Sequence, residues 1–420
     1  MNKLISPFNY QGKLKVNSSK SYAQRAFILA LLAEGETMIY NSGQSNDVLA
    51  IQKCICQLGA QILPFKNGLK IIPPASKCIK NVSLNVGESG LALRLLGIVS
   101  ILFSQNITLT GEGSILNRSQ KQLIEIIEQL GLAIKHNNFK LPIQITGSIT
   151  ERKLEIDASG GSQVISGLLL TLPLMEKNSL ITLKKITSLP YLLMTLEIMS
   201  DFGIYIKPKL DEEISIKGKQ NYRGCSYFVE GDWSGAANHC VGAAISGSIE
   251  LHGLNPNSQQ ADRAILSVLS QFGANILIST LPNNTTQIIT ITESIVKNPF
   301  EFDLINAPDL FPILAILAAS AKGKSLIMGT NRLVNKESNR LESVVKMLTD
   351  FSVEFEVGEN QIAIFGTGKI TPVNPINSFN DHRIAMAATI GACVSDISIS
   401  LFETDCVNKS YTEFFNDLSI

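Results

Sequence analysis

The stretch Ser19–Gly35, which reads SKSYAQRAFILALLAEG, gives the first indication of the architecture. It opens on small polar residues that can cap a helix, continues through a run rich in Ala and Leu, and closes on Gly. A helix that is apolar on all sides must be covered on all sides. The stretch therefore predicts a helix buried beneath β-sheets.

The same pattern recurs along the chain at intervals of 69 to 76 residues, starting near Ser19, Glu88, Gly161, Asp232, Pro308 and Asn380. In five of the six instances an amphipathic helix follows and closes on a turn residue, at Gly59, Gly131, Gly203, Gly273 and Ser352. Segments rich in β-branched residues separate the helices. The pattern predicts six repeats of about 70 residues, each with strands and two helices.

Length, composition and charge restrict the classes of protein to which the chain can belong. A chain of 420 residues predicts two or three domains, so three repeats fit in each of two. Hydrophobic residues make up 45% and charged residues 17%, which predicts packed cores rather than a disordered chain. The 36 basic residues equal the 36 acidic ones, so no net charge attracts nucleic acid or an anionic membrane.

The cysteines and the apolar runs point to the cytoplasm. Seven cysteines with no CxxC, and four scattered histidines, predict free thiols and no metal site. The most apolar runs, 310–321 and 164–175, are too short for a bilayer, which takes about 20 residues. The N-terminus lacks the pattern of a secretory signal. We expect a cytoplasmic monomer with no membrane or nucleic-acid partner.

Polar and charged residues gather at the predicted helix starts. Helix N-termini offer unpaired N–H groups and the positive end of the helix dipole, which together bind anions. Ordinary capping explains any single start equally well, but a cation such as Lys20 opposes the dipole and is not a cap. If the starts face one cleft, that cleft binds anions. The residues concerned are Lys20, Ser21, Arg25, Gly90, Arg94, Arg118, Ser162, Gln163, Ser188, Tyr191, Asp309, Arg383 and Lys409.

The densest charged motif is 332–340, RLVNKESNR. Lys336 and Arg340 are four residues apart and would share one helix face, where like charges repel. Glu337 lies between them in the sequence. Two cations beside one carboxylate suit an anionic ligand and a proton donor, so this motif predicts a functional site.

Together these motifs resemble those of the enolpyruvyl transferase family, in the same order from Lys20 to Lys409. Lys-Glu-Ser-x-Arg at 336–340 and Asp-His-Arg at 381–383 are the most specific. The resemblance implies an α/β fold, a two-lobed inside-out α/β barrel of six βαβαββ repeats, three per lobe. It also implies a discontinuous lobe, 1–16 with 229–420, and a continuous lobe, 17–228.

Within the family, the motifs are most similar to those of members that act on shikimate 3-phosphate. Such members transfer the enolpyruvyl group of phosphoenolpyruvate to the 5-hydroxyl of shikimate 3-phosphate by addition and elimination, and release phosphate. The resemblance implies two small anionic substrates and no metal or organic cofactor.

The resemblance also implies roles for individual residues. Asp309 would be the base, with Lys20 close to the reacting hydroxyl, and Glu337 would protonate the methylene carbon. The implied ligands of phosphoenolpyruvate are Lys20, Gly90, Arg118, Gln163, Arg340, Arg383 and Lys409. The implied ligands of shikimate 3-phosphate are Lys20, Ser21, Arg25, Ser162, Gln163, Ser188, Tyr191, Asp309 and Lys336.

Six positions depart from the family's pattern, namely Glu88, Leu91, Leu95, Ser119, Gly161 and Asn339. Gly161 stands where a second Ser is frequent, Glu88 where Asn is common, and Asn339 where Asp is usual. None of these departures removes a predicted catalytic group. They bear on substrate affinity and on sensitivity to glyphosate, which resembles phosphoenolpyruvate.

Three other functions compete with this one. The family members that act on UDP-N-acetylglucosamine usually open the first helix with Lys-Asn and carry a reactive Cys in their second repeat. This chain has Lys20-Ser21 and no Cys between Cys78 and Cys225. A non-catalytic binding module would have lost charged cleft residues, which are all present. A purely structural repeat protein leaves the like charges at Lys336 and Arg340 unexplained.

Overall fold

The computed structural model describes residues 1–207, 213–280 and 287–418 of the chain. By their contacts they divide into two compact units, a continuous unit of Ser18–Val229 and a discontinuous unit of Met1–Asn17 with Glu230–Ile420. The α-helices are α1 (Lys20–Leu32), α2 (Asn46–Gln57), α3 (Gly90–Val99), α4 (Lys121–Gln129), α5 (Gln163–Thr171), α6 (Leu189–Asp201), α7 (Trp233–Ile245), α8 (Ile265–Phe272), α9 (Phe311–Ser320), α10 (Arg340–Asp350), α11 (His382–Gly391) and α12 (Phe414–Asp417).

The strands are short and are distributed along the whole chain. They are β1 (Lys3–Ile5), β2 (Tyr10–Lys15), β3 (Thr37–Tyr40), β4 (Gln61–Phe65), β5 (Gly68–Ile72), β6 (Val82–Asn85), β7 (Asn106–Thr110), β8 (Ala133–Asn137), β9 (Lys140–Thr146), β10 (Lys153–Asp157), β11 (Ser179–Lys184), β12 (Glu213–Ile216), β13 (Ser226–Phe228), β14 (Gly247–His252), β15 (Asn275–Thr280), β16 (Gln287–Thr292), β17 (Glu301–Asp303), β18 (Lys322–Met328), β19 (Glu354–Val357), β20 (Gln361–Thr367), β21 (Ile376–Asn377) and β22 (Ile399–Phe402).

Within the described ranges, the strands form six separate sheets, three in each unit. The continuous unit has the strand orders β13-β3-β5-β4, β6-β7-β9-β8 and β10-β11-β12, and the discontinuous unit has β2-β14-β16-β15, β17-β18-β20-β19 and β1-β22-β21. Every sheet contains one parallel pair, as in β6 beside β7, and the other pairs are antiparallel. In four of the six sheets the two parallel strands follow each other in the chain and one buried helix connects them, as α3 connects β6 to β7. The predicted α/β fold of six repeats is confirmed.

Three of the sheets take a strand from a distant part of the chain. In the discontinuous unit, β1 pairs with β22, so that Lys3 lies opposite Leu401. In the same unit β2 pairs in parallel with β14. In the continuous unit, β13 comes from the end of that unit's sequence and pairs with β3. The repeats are thus completed by strands that cannot be assigned from sequence periodicity alone.

The six repeated helices form the cores of the two units. All ten residues of α9 are buried, and so are nine of the ten in α3 and twelve of the thirteen in α7. The strands alternate instead, as in β9, where every second side chain is buried. Such alternation lays one face of a sheet on the helices and turns the other face to solvent. The helices therefore lie inside and the sheets outside, as the sequence predicts.

The helix ends use the predicted residues. Ser19 and Ser89 accept hydrogen bonds from backbone N–H groups in the first turns of α1 and α3, and Asp232 and Asp381 do the same for α7 and α11. The predicted stops of the amphipathic helices have positive φ, at Gly59, Gly131, Gly203, Gly273 and Ser352. Glycine adopts this conformation without strain, and serine does not.

Candidate active site

Asp309 is the centre of a charged cluster in the discontinuous unit. It lies in a single 3-10 turn, Pro308–Leu310, directly before α9. Its Oδ1 accepts hydrogen bonds from Arg340 Nη1 at 2.6 Å and from Lys336 Nζ at 3.4 Å. Its Oδ2 accepts one from Arg383 Nη2 at 2.9 Å. Burial raises the pKa of Asp309, but the charges of Arg383, Lys336 and Arg340 outweigh burial and hold that pKa well below its usual range. The side chain is therefore a carboxylate at neutral pH.

Arg340, at the start of α10, connects the carboxylates of the cluster. Its side chain is buried, and its donors reach Asp309, Glu337 Oε2 at 2.5 Å and Asp381 Oδ2 at 2.9 Å. Burial lowers the pKa of Arg340, but the three carboxylates outweigh burial and raise that pKa above its usual value. Ser338 also donates to Asp381, at 3.2 Å. Arg340 thus holds the proposed proton donor, Glu337, beside the proposed base, Asp309.

The structure corrects the predicted position of Lys336. The helix begins only at Arg340, and 334–339 are not helical, so Lys336 and Arg340 do not share a helix face. They meet instead because both donate to Asp309 Oδ1. Burial lowers the pKa of Lys336, and Asp309 raises it in opposition. The like charges are adjacent because a carboxylate lies between them, which the spacing alone does not reveal.

Arg383, in the first turn of α11, has contacts in three parts of the unit. Besides Asp309, it donates through Nη1 to the hydroxyl of Ser234, in the first turn of α7. The same Nη1 lies 4.0 Å from Oδ2 of Asp262. The sequence did not single out Ser234 or Asp262. Lys409 is also buried in this unit, at the end of the 3-10 segment Thr404–Lys409.

Arg25 is the most deeply buried cation among the described residues of the continuous unit. Its Nε donates to Thr195 Oγ1 at 2.8 Å and its Nη1 to the Ser21 carbonyl at 2.9 Å. Its Nη2 lies 3.4 Å from both Ser166 Oγ and the carbonyl of Tyr191. Burial lowers the pKa of Arg25 to about 10, which leaves it charged at neutral pH. Arg25 therefore joins α1, α5 and α6 near their N-terminal ends.

Lys20 is the first residue of α1, where the helix dipole disfavours a cation. Its Nζ lies 3.0 Å from Oδ2 of Asp47, which is buried in the first turn of α2. The ion pair offsets the dipole and fixes the side chain. Sequence reasoning did not identify Asp47, because the two residues are far apart in the chain.

Two arginines approach each other at Gly90, the first residue of α3. Arg94 Nη1 donates to Gln163 Oε1 at 2.6 Å and is 3.4 Å from the Gly90 carbonyl. A Cβ at position 90 would lie 3.0 Å from Arg94 Nη1 and 3.1 Å from Arg118 Nη1. Any side chain there would displace a guanidinium. The structure thus brings together Gly90, Arg118 and Gln163, three of the predicted phosphoenolpyruvate ligands, and adds Arg94.

The remaining predicted residues lie at the starts of α5 and α6. Ser162 precedes α5 without capping it, and Ser188 precedes α6 in a left-handed conformation with φ of 57°. Tyr191 is in the first turn of α6. Gly161 has φ of 109° and ψ of 179°, a conformation that is essentially restricted to glycine. The absence of a second serine at that position therefore has a backbone cause.

Two further departures, Glu88 and Asn339, make local contacts or none. Glu88 Oε2 accepts a hydrogen bond from the Ser114 hydroxyl at 3.2 Å, which joins the turn before α3 to the segment that carries Arg118. Asn339 occupies the N-cap position of α10, and its side chain does not cap the helix.

Metal-binding residues do not cluster in the described ranges of the chain. No group of three or more His, Cys, Asp or Glu side chains there could hold a metal ion. The seven cysteines are all free thiols. In the same ranges, no helix is both long and apolar enough to cross a membrane.

Comparison with known proteins identifies the class. The family model described as EPSP synthase (3-phosphoshikimate 1-carboxyvinyltransferase) matches residues 6–418. Proteins named 3-phosphoshikimate 1-carboxyvinyltransferase from Clostridium acetobutylicum and Methanocorpusculum labreanum are similar over nearly their full lengths. The first is 33% identical over 99% of this chain and 96% of its own. The second is 30% identical over 100% of this chain and 98% of its own.

The solved structures agree with the sequence relatives. An EPSP synthase from Acinetobacter baumannii matches with a TM-score of 0.81 and 26% identity, over 99% of this chain and 97% of its own. The enolpyruvyl transferase NikO from Streptomyces tendae has a TM-score of 0.74 at 14% identity, over 99% of this chain and 96% of its own. It therefore shares the fold. The chain belongs to the EPSP synthase family.

Proposed function

We propose that this chain transfers the enolpyruvyl group of phosphoenolpyruvate to the 5-hydroxyl of shikimate 3-phosphate and releases phosphate. Its membership of the EPSP synthase family supports this reaction. The observation that carries the proposal is the Asp309 cluster, in which one carboxylate accepts from three cations, Lys336, Arg340 and Arg383. Cations held in a buried site stabilise a developing negative charge more strongly than cations in water.

The first step is an addition. The substrate hydroxyl loses its proton to Asp309 while its oxygen bonds to the central carbon of phosphoenolpyruvate. Glu337 gives a proton to the methylene carbon, so the product is a tetrahedral ketal phosphate. Arg340 supports this assignment because it contacts both carboxylates, at 2.6 Å and 2.5 Å. In the second step the bond to phosphate breaks, the methyl group returns a proton to Glu337, and the enol ether forms. The proton held by Asp309 leaves with the phosphate.

The anions of phosphoenolpyruvate compete with Asp309 for its cations. A carboxylate and a phosphate are both good acceptors for the forked donors of arginine. When Arg340 and Arg383 turn their donors to the substrate, Asp309 loses part of its positive surroundings and becomes a stronger base. Substrate binding thus prepares the base. Lys409, Lys20, Gly90, Arg118 and Gln163 complete the proposed set of phosphoenolpyruvate ligands.

Shikimate 3-phosphate takes its ligands mainly from the helix starts of the continuous unit. Hydroxyl groups and backbone N–H groups at a helix N-terminus bind phosphate. The proposed ligands are Lys20, Ser21, Arg25, Ser162, Gln163, Ser188, Tyr191, Asp309 and Lys336. On this assignment the predicted lobe 17–228 holds mainly shikimate 3-phosphate. The predicted lobe of 1–16 with 229–420 supplies the base, the acid and most cations for phosphoenolpyruvate.

We further propose that the chain acts as a monomer in the cytoplasm without a metal or organic cofactor. The seven free thiols support a reducing compartment. Light scattering on a sizing column measures the mass, and a mass of twice 45.6 kDa would contradict the monomer. Activity that EDTA abolishes would contradict metal-free catalysis.

Phosphate release tests the reaction. Purified protein is mixed with phosphoenolpyruvate and shikimate 3-phosphate, and we expect release of one phosphate per enolpyruvyl group transferred. UDP-N-acetylglucosamine replaces the acceptor in a parallel reaction. Release with that acceptor alone would assign the chain to the related reaction, and release with neither acceptor would favour a binding module.

A further inference from the structure

Asp262 is a buried carboxyl beside the Asp309 cluster. It lies in the 3-10 turn Ala261–Ala264, just before α8, and only 2% of its surface is exposed. Its Oδ2 is 4.0 Å from Arg383 Nη1. Among the described residues, its Oδ1 has no hydrogen-bond partner. A buried carboxylate oxygen without a hydrogen-bond partner lowers the stability of the folded protein, so its presence requires a physical reason.

Arg383 lies beside both Ser234 and Asp262. The Ser234 hydroxyl accepts a hydrogen bond from Arg383 Nη1, and Ser234 also lowers the pKa of Asp262. The guanidinium of Arg383 therefore faces two carboxylates, Asp309 at 2.9 Å and Asp262 at 4.0 Å.

The charges around Asp262 oppose one another. Burial raises its pKa, Arg383 and the Ser234 hydrogen bond lower it, and the carboxylates of Asp309 and Asp232 raise it again. The balance raises the pKa to about 6. An anion bound to Arg383 would neutralise the main charge that keeps Asp262 ionised.

We propose that Asp262 is a proton-linked counterion of Arg383, ionised in the free protein and protonated when an anionic substrate group binds that guanidinium. The bound anion repels the carboxylate, so Asp262 takes up a proton and leaves Arg383 to the substrate. Asp262 is thus a positioning residue that sets the affinity for phosphoenolpyruvate. The inference rests on the proposed function, because it takes Arg383 to be a phosphoenolpyruvate ligand.

The sign of the pH effect follows from linkage. Below pH 6 Asp262 is already protonated in the free protein, so anion binding needs no proton. Above pH 6 the anion must either repel an ionised carboxylate or draw a proton onto it. Affinity for phosphoenolpyruvate therefore falls as pH rises through about 6. If the bound anion raises the pKa of Asp262 by one unit, the fall is about tenfold.

The test compares the KM for phosphoenolpyruvate in the wild type and in Asp262→Asn between pH 5.5 and 8.5, at saturating shikimate 3-phosphate. Ionisation of the substrate phosphate affects both proteins equally and cancels in the ratio of their KM values. We expect a ratio near one at the acid end and about tenfold tighter binding by the variant at pH 8.5. Asp396→Asn, an exposed aspartate paired with Lys369, is the matched control and should follow the wild type at every pH.

A second variant covers the case in which Asp262→Asn folds poorly. Ser234→Ala removes a hydrogen bond that lowers the pKa of Asp262, so the pH dependence of the KM should move to higher pH. Equal pH profiles in all active variants, or weaker binding by Asp262→Asn at every pH, would overturn the inference. No phosphate release by the wild type would instead refute the proposed function.

Discussion

At the scale of single residues, the contacts of Asp309 join positions up to 74 residues apart in the chain. The motif 336–340 predicted the residue types of the cluster and marked Asp309 as a separate member. The motif could not predict that Lys336 lies before the helix, because tertiary packing brings Lys336 to Asp309. Asp262 and Ser234 carry no local signal either. A buried Asp before a helix and a Ser in a first turn are both ordinary helix-start residues.

Asp309→Asn tests the proposed base. The amide keeps the shape of the side chain but cannot take the hydroxyl proton, so we expect kcat to fall by about 10²- to 10⁴-fold. Steady-state kinetics should show a smaller change in the KM for shikimate 3-phosphate. Because the pKa of Asp309 in the free protein is held well below its usual range, an acid limb near pH 6 in the wild-type kcat/KM would come from another group. Activity within threefold of the wild type would rule out Asp309 as the base.

At the scale of helices and strands, the sequence predicted most of what the structure contains. The apolar helices are buried, and the amphipathic helices end at positive φ at Gly59, Gly131, Gly203 and Gly273. Both features have local causes, namely continuous apolar character and the freedom of glycine. No local feature of the sequence predicts the pairing of β1 with β22. A three-residue strand has little pattern, and its partner is almost 400 residues away.

Ser352 has a left-handed backbone conformation directly after α10. It occupies the position that glycine holds in four other repeats, with φ of 54°, and its side chain is exposed. A left-handed conformation costs a non-glycine residue about 1 kcal/mol. Ser352→Gly should raise the free energy of unfolding by up to that amount, measured in urea. Ser352→Ala keeps the strain and should change stability by less than about 0.5 kcal/mol. A loss of stability in the glycine variant would contradict this account.

At the scale of the whole molecule, each unit has three sheets around apolar helices, and the discontinuous unit needs both ends of the described chain. Repeats and family motifs were enough to predict the number of sheets. They could not predict which distant strands pair with each other, because such hydrogen bonds produce no periodic pattern in a sequence.

Removal of residues 1–5 tests how far β1 supports its sheet. Without β1, the edge of β22 loses its antiparallel partner, and its backbone N–H groups face solvent. Amide hydrogen exchange should become faster at 399–402 and stay unchanged at 37–40, in the sheet of the continuous unit. Equal acceleration in both sheets would show that β1 stabilises more than its own unit.

Because β1 and β2 pair with strands far along the chain, the two units can fold only in a fixed order during synthesis on the ribosome. Once Val229 has left the exit tunnel, the continuous unit has every residue it needs and can fold while translation continues. The first 17 residues emerge earlier, yet β2 must wait for β14 and β1 for β22. A nascent chain therefore carries an unpaired leading segment through most of its synthesis, beside a neighbour that is already folded.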